Sequence, residues 1–124
     1  MKRREFKEEL FALLENSVEG MSFEEKIQYV EKILIDFQRE HEDERDTSNK
    51  GKPWRNEDLK IILSDAATAS NCMKYAILYR RGYGSIEQIY RWATTPKHSV
   101  NQKRPEDKFV LQIKRIVREL GLRG

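Results

Sequence analysis

A single cysteine, Cys72, leaves no partner for an internal disulfide and fits a reducing compartment. The two histidines, His41 and His98, lie far from it and from each other in the sequence, so no Cys/His metal spacing is present. No glycine-rich loop ending in lysine is available to cradle a nucleotide phosphate. No apolar run approaches the roughly 20 residues a membrane helix needs. The basic start Met1-Lys2-Arg3-Arg4 leads into an acidic amphipathic stretch without the apolar segment of a signal peptide. Paired acids occur, as at Glu24-Glu25 and Glu57-Asp58, but in the first turns of expected helices, where the helix dipole accounts for them. No strand pattern, internal repeat or low-complexity tract competes with the helical periodicity. The expectation is a non-enzymatic, all-helical protein with no metal and no cofactor, cytoplasmic and nucleoid-associated if bacterial or viral, nuclear if eukaryotic.

Charge is abundant but unevenly placed. Residues 1–46 hold 8 Lys/Arg against 14 Asp/Glu, a net of −6, and residues 47–124 hold 16 against 7, a net of +9. Two parts of opposite sign are implied, the basic one suited to a polyanion.

Residues 1–41 are expected to form an acidic helical hairpin. Phe6, Leu10, Leu13, Leu14 and Val18 recur at helical spacing, and Gly20 breaks the run. Ser22 with Glu25 makes a capping box, after which Phe23, Ile27, Val30, Leu34 and Phe37 follow at intervals of three and four. This apolar stripe is expected to meet a protein partner or a second copy. Residues 42–52 contain no apolar side chain and are expected to be a mobile linker.

Residues 53–124 form the basic part. Asn56 is expected to cap a helix whose inner face is Leu59, Ile62 and Leu63. Thr68 caps a second helix running to about Arg81, with Cys72, Met73 and Ala76 inside, and Gly82-Tyr83-Gly84 closes it. Ser85, with Gln88 in the capping-box position, starts a third helix packed through Ile86, Ile89, Trp92 and Ala93. A last helix begins near Pro105-Glu106-Asp107, buries Phe109, Ile113, Ile116, Val117 and Leu120, and stops at Gly121. Its Lys108, Lys114, Arg115 and Arg118 fall away from that face.

Three short helices with a glycine-bearing turn before the third are the layout of a helix-turn-helix domain. Trp54, Glu57-Asp58 and Ile62, then Tyr75-Ala76, Gly84-Ser85 and Arg91-Trp92 carry a further likeness. Over about forty residues, 53–93, the sequence resembles the Myb/SANT-like repeats of the homeodomain-like class, although Cys72 stands where that family has its middle tryptophan. The resemblance implies a homeodomain-like three-helix unit, with its third helix (about 85–94) in the major groove of double-stranded DNA. It also makes the two tryptophans core anchors.

On the residues themselves, the outer face of the third helix is expected to present Glu87, Gln88, Tyr90 and Arg91, with Gln suited to adenine and Arg to guanine. Arg80, Arg81 and Tyr83 in the preceding turn, and Ser85 with the free N–H groups of the helix start, are expected to contact phosphate. Lys97, Lys103 and Arg104 in the loop before the last helix could do the same. The rival expectation is a SANT-like protein-interaction module that touches no nucleic acid. RNA is a weaker third reading, because the sequence lacks the strand-borne aromatics of an RNA-binding sheet.

Overall fold

The computed structural model describes residues 1–96 and 107–122, and these are all-α: six α-helices, one short 3₁₀ turn and no strand among the described residues. Lys97, Lys103 and Arg104 lie outside the described residues. The chain divides into two compact units, Met1–Phe37 and Gln38–Gly124.

In the first unit, α1 (Arg3–Leu14) is followed by α2 (Phe23–Glu40), whose last turn enters the second unit. The capping box forms as the sequence suggests. The Glu25 N–H donates to Ser22 Oγ (3.2 Å) and the Ser22 N–H donates to Glu25 Oε1 (3.0 Å). The Ser22 bonds hold the Glu25 carboxyl below its ordinary pKa. One side chain of this unit is buried, and it is a lysine. Lys26 Nζ donates to Leu14 O (2.6 Å) and Asn16 O (3.2 Å), supplying the C-terminal carbonyls of α1 with the donor they lack.

In the second unit, α3 (Asn56–Leu63), α4 (Ala69–Leu78), α5 (Tyr83–Thr94) and α6 (Lys108–Glu119) surround one core. Helix α5 packs on α4, α6 and α3, and α3 packs on α6. Leu59 and Ile62 of α3, Ile86 and Ile89 of α5, and Val110, Ile113 and Ile116 of α6 are the large side chains wholly removed from water. Thr68 caps α4 by accepting the Asn71 N–H at 3.1 Å. Asp107 caps α6. At the end of α6, Gly121 (φ +73°) is left-handed, Leu122 N–H returns to Val117 O and Gly121 N–H to Arg118 O.

Four local expectations change. Asn56 is the first residue of α3 rather than its cap, and its side chain accepts a hydrogen bond from Gln112 Nε2 (2.8 Å), which also reaches Trp54 O. Helix α4 stops at Leu78 rather than Arg81, because Arg80 turns left-handed (φ 56°) and Arg81 N–H folds back to Ala76 O. Helix α5 starts at Tyr83, two residues before Ser85, because Glu42 meets its first N–H. Trp92 is half-buried while Tyr90 is buried, since the inward face of α5 runs through Tyr83, Ile86, Ile89, Tyr90 and Ala93. Trp54 is in the core, edge-on to Tyr79 at 5.6 Å.

Residues 42–52 belong to the second unit and are tied to it at several points. Glu42–Glu44 form a 3₁₀ turn, Asn49 N–H donates to Arg80 O (3.1 Å), and Asn49 Nδ2 donates to Tyr79 O (3.0 Å). A stretch without apolar side chains is here held by polar bonds to the ends of neighbouring helices.

Candidate nucleic-acid interface

Helices α4 and α5 are joined by the four residues 79–82, the length of turn found in helix-turn-helix pairs. Beyond the packing of Ile86 and Ile89, polar bonds to other segments hold α5 at both ends and in the middle. At its N-terminus Tyr83 N–H donates to Glu42 Oε1 at 2.8 Å, and a Cβ on Gly82 would come within 3.1 Å of the same carboxylate. Glu42 is in turn held by Arg45 (3.0 Å). At the C-terminus the buried Lys114 donates from Nζ to Ala93 O (3.3 Å) and to Thr95 O. In the middle, the Tyr90 hydroxyl donates to Ile62 O of α3 at 2.8 Å. A carboxylate at the start and an ammonium at the end both complement the helix macrodipole.

This frame sorts the residues expected to touch nucleic acid. Arg81 is buried. Its guanidinium stacks 3.9 Å from the Trp54 ring centroid and donates to Lys52 O and Pro53 O, which fastens the residues before α3. Burial lowers its pKa. Tyr83 is buried, with the Arg39 guanidinium 4.2 Å from its ring. Tyr90 is buried on the inner face, and burial pushes its hydroxyl pKa upward. These three are corrections: Tyr83 and Tyr90 lie on the packed side of α5, and Arg81 folds back against Trp54 and the residues before α3. Glu87 is half-buried and ion-paired to Arg39 at 3.7 Å. Ser85 sits in the first turn as a half-buried residue whose N–H is taken by Gly82 O. Lys114 is likewise a correction, since it points inward.

Gln88 and Arg91 are where the periodicity puts them. With Gly84 and Thr95 they make a stripe at positions i, i+4, i+7 and i+11, and Gly84, Gln88 and Arg91 are exposed. Among the described residues Arg91, Lys108, Arg115 and Arg118 have no salt-bridge partner. Beside Gln88 lies a groove of about 520 Å³ lined by Lys52, Trp54, Arg81, Ser85, Gln88 and Lys108. Arg80 is exposed in the turn, 3.4 Å from Asp46. The groove brings the Gln88 and Gln112 amides and the Lys52 and Lys108 ammonium groups together, while Arg91, three residues after Gln88, lines a separate cavity with Thr68, Ala69 and Glu87.

Residues 48–124 match the family described as the uncharacterised protein PM1205 C-terminal domain. The chain belongs to this family. It is 46% identical over 125 residues to the uncharacterized protein PM1205 of Pasteurella multocida (strain Pm70), covering 100% of both chains. No solved structure matches the chain. The matched span holds α3 to α6, the α4–α5 turn and the groove, but starts after Glu42, so the carboxylate that begins α5 comes from outside it.

Groups able to support other chemistry are few. Cys72 is buried, and burial first, then the charge of Glu87, raises its thiol pKa away from the reactive range. Among the described residues no group of three His, Cys, Asp or Glu side chains could hold a metal ion, and no helix is long and apolar enough to cross a membrane.

The sequence reading missed Glu42, Arg81 and Lys114 as positioning residues. Lys114 had a signal: Val110, Ile113, Lys114 and Val117 occupy i, i+3, i+4 and i+7, so it falls inside the apolar stripe rather than beside it. Glu42 had none, being 41 residues from the N–H it accepts.

Proposed function

We propose that the second unit is a homeodomain-like helix-turn-helix module that binds double-stranded DNA. Helix α5 enters the major groove, and the protein acts as a regulator or as the targeting part of a larger assembly. One observation carries this reading: the exposed Gln88–Arg91 stripe lies on a helix fixed at both ends, beside a groove edged by Lys52 and Lys108. Gln and Arg are side chains that can bond base edges in pairs. Lys52, Lys108 and Arg80 take the phosphate-contacting role in place of Arg81 and Tyr83. Arg39, 3.7 Å from Glu87, offsets part of the negative charge that α5 would bring to a polyanion. The Myb/SANT-like resemblance and the +9 charge of residues 47–124 agree with this. The reading carries with it a place beside DNA, on the nucleoid in the cytoplasm if the source is bacterial or viral and in the nucleus if it is eukaryotic.

A protein-interaction module is the second reading, favoured by the number of cations already paired inside the chain: Arg39, Arg45, Arg55, Lys60, Lys74 and Arg80. Selection from a random duplex library separates the two. The DNA reading expects a preferred sequence whose advantage falls by about 1–3 kcal/mol in Gln88→Ala or Arg91→Ala. Failure to enrich any duplex, with the fold intact, favours the protein partner.

A further inference from the structure

The turn between α4 and α5 is held from outside by polar bonds. Its three successive carbonyls all accept from residues 45–49: Tyr79 O from Asn49 Nδ2 (3.0 Å), Arg80 O from the Asn49 N–H (3.1 Å) and Arg81 O from Arg45 Nη1 (3.5 Å). Past the turn, the Tyr83 N–H donates to Glu42 Oε1 (2.8 Å), and Arg39 lies over the Tyr83 ring. Residues 42–52 add no apolar side chain to this attachment. Hydrogen bonds exchanged for bonds to water return little each, and segments with few buried apolar contacts open well before the whole fold does. The joint is also incompletely satisfied. Among the described residues, the buried side-chain nitrogens without a hydrogen-bond partner are Arg45 Nε and Arg81 Nε, one on each side of it.

Helix α5 carries a second start signal that the structure leaves unused. Ser85 with Gln88 is a capping box, yet the N-cap of α5 is Gly82, without a side-chain cap bond, and Gln88 is exposed. Glu42 therefore holds α5 at the longer of two starts.

We infer that residues 39–52 are a strap that selects between these two starts. Docked, it supplies the turn carbonyls with donors and the first N–H of α5 with an acceptor. Released, Glu42, Arg45 and Asn49 leave the turn together and Tyr83 and Gly84 unwind. The Ser85 hydroxyl then accepts the Gln88 N–H, and the Gln88 side chain turns back to the Ser85 N–H. A cap 41 residues away is exchanged for one within the same turn. Release also takes the Gln88 amide out of the exposed stripe. That consequence rests on the DNA reading, and the strap itself does not.

Amide hydrogen exchange of the full chain, followed by NMR without nucleic acid, tests the strap. The Asn49 and Tyr83 amides should exchange together, about 30-fold or more faster than those of Ile89 and Tyr90, which stay helical in both states. In Glu42→Ala, backbone chemical shifts should place the cap of α5 at Ser85, with residues 86–94 still helical. Ser85→Ala should then cost that protein about fivefold in the protection of its α5 amides, and cost the wild type nothing. Ser85→Asp in the Glu42→Ala protein keeps a capping oxygen and should retain the protection. If Glu42→Ala does not fold, the wild-type exchange pattern and Ser85→Ala decide, because loss of the second cap slows Asn49 and Tyr83 exchange by about fivefold. Tyr83 exchanging only at the rate of Ile89, or apart from Asn49, overturns the inference. So does a Glu42→Ala protein whose α5 still begins at Tyr83. A protein that opens as described but binds no duplex supports the strap and refutes the DNA reading.

Discussion

Replacing Lys114 with Met should loosen the second unit more than any exposed lysine-to-methionine change. Lys114 is nine-tenths buried, and its ammonium serves Ala93 O and Thr95 O at the end of α5. Methionine keeps the length of the stem and its packing but removes the donor. Hydrogen bonds to a charged group contribute about 1.5–3 kcal/mol each, and a buried acceptor left unpaired costs about 1–3 kcal/mol. The favourable placement of a cation at a helix C-terminus adds up to about 2 kcal/mol in partly buried sites. Against these stands the desolvation of the ammonium, which already lowers the Lys114 pKa and which methionine escapes. The balance is a loss of about 2–3 kcal/mol. In a unit of this size that lowers Tm by about 10–20 °C. Thermal melts followed by circular dichroism at neutral pH measure it, with the exposed Arg118→Met as control at about 0.5 kcal/mol or less. A Lys114→Met protein that melts with or above the wild type would refute the reasoning. The ammonium would then cost as much to bury as its carbonyl bonds return.

Two further outcomes follow from the turn regions. Arg80→Gly should leave Tm unchanged or raise it by a few degrees, because relief of a left-handed residue, about 1–2 kcal/mol, offsets an exposed ion pair with Asp46 and the added freedom of the unfolded chain; a clear fall in Tm would show that the Asp46 contact matters more than the strain. Asp65 accepts bonds from the Tyr75 hydroxyl (2.7 Å), Lys74 and the Ala66 N–H, which hold its pKa at about 2, below the usual 3.8. A carboxyl depressed in the folded state stabilises fully above its unfolded pKa and loses that contribution as pH falls toward the folded value. Wild-type Tm should therefore drop more steeply between pH 4 and pH 2 than that of Asp65→Asn, and equal slopes would contradict the assignment.

Local signals in the sequence carried over where their partners are local. Ser22 with Glu25, Thr68 with Asn71 and the left-handed Gly121 all act within one turn, and the structure has each of them. The apolar faces of α3 and α4 also follow from their periodicity, whereas on α6 Ile113, Ile116 and Val117 are buried as expected but Val110 is buried in place of Phe109 and Leu120, which are half-buried. What sequence spacing could not supply is where distant polar groups meet. Glu42 moves the start of α5 from Ser85 to Tyr83 across 41 residues, and the two-residue shift accompanies the exchange of Tyr90 for Trp92 on the buried side. Lys26 and Lys114 show a repeated device that a pattern of apolar and charged residues conceals. Each sits at i+3 or i+4 within an apolar stripe, and each sends its ammonium to the C-terminal carbonyls of a neighbouring helix. A lysine inside such a stripe is read more accurately as an inward cap than as part of a solvated face. Within the candidate interface, Gln88 and Arg91 were legible because they fall opposite the core of α5. Arg81 and Tyr83 were not, because the left-handed Arg80 turns the chain back toward Trp54 and Arg39.

The most direct test of the DNA reading is the salt dependence of duplex affinity for the wild type and for Lys52→Ala, Lys108→Ala and Arg80→Gly. Phosphate neutralisation makes the logarithm of the binding constant fall linearly with that of the salt concentration, with a slope near −0.9 per contact. The account predicts a steep slope for the wild type and one shallower by about one unit for each variant, with no change in sequence preference. An absence of duplex affinity at low salt, or a slope that none of the three substitutions alters, would contradict it.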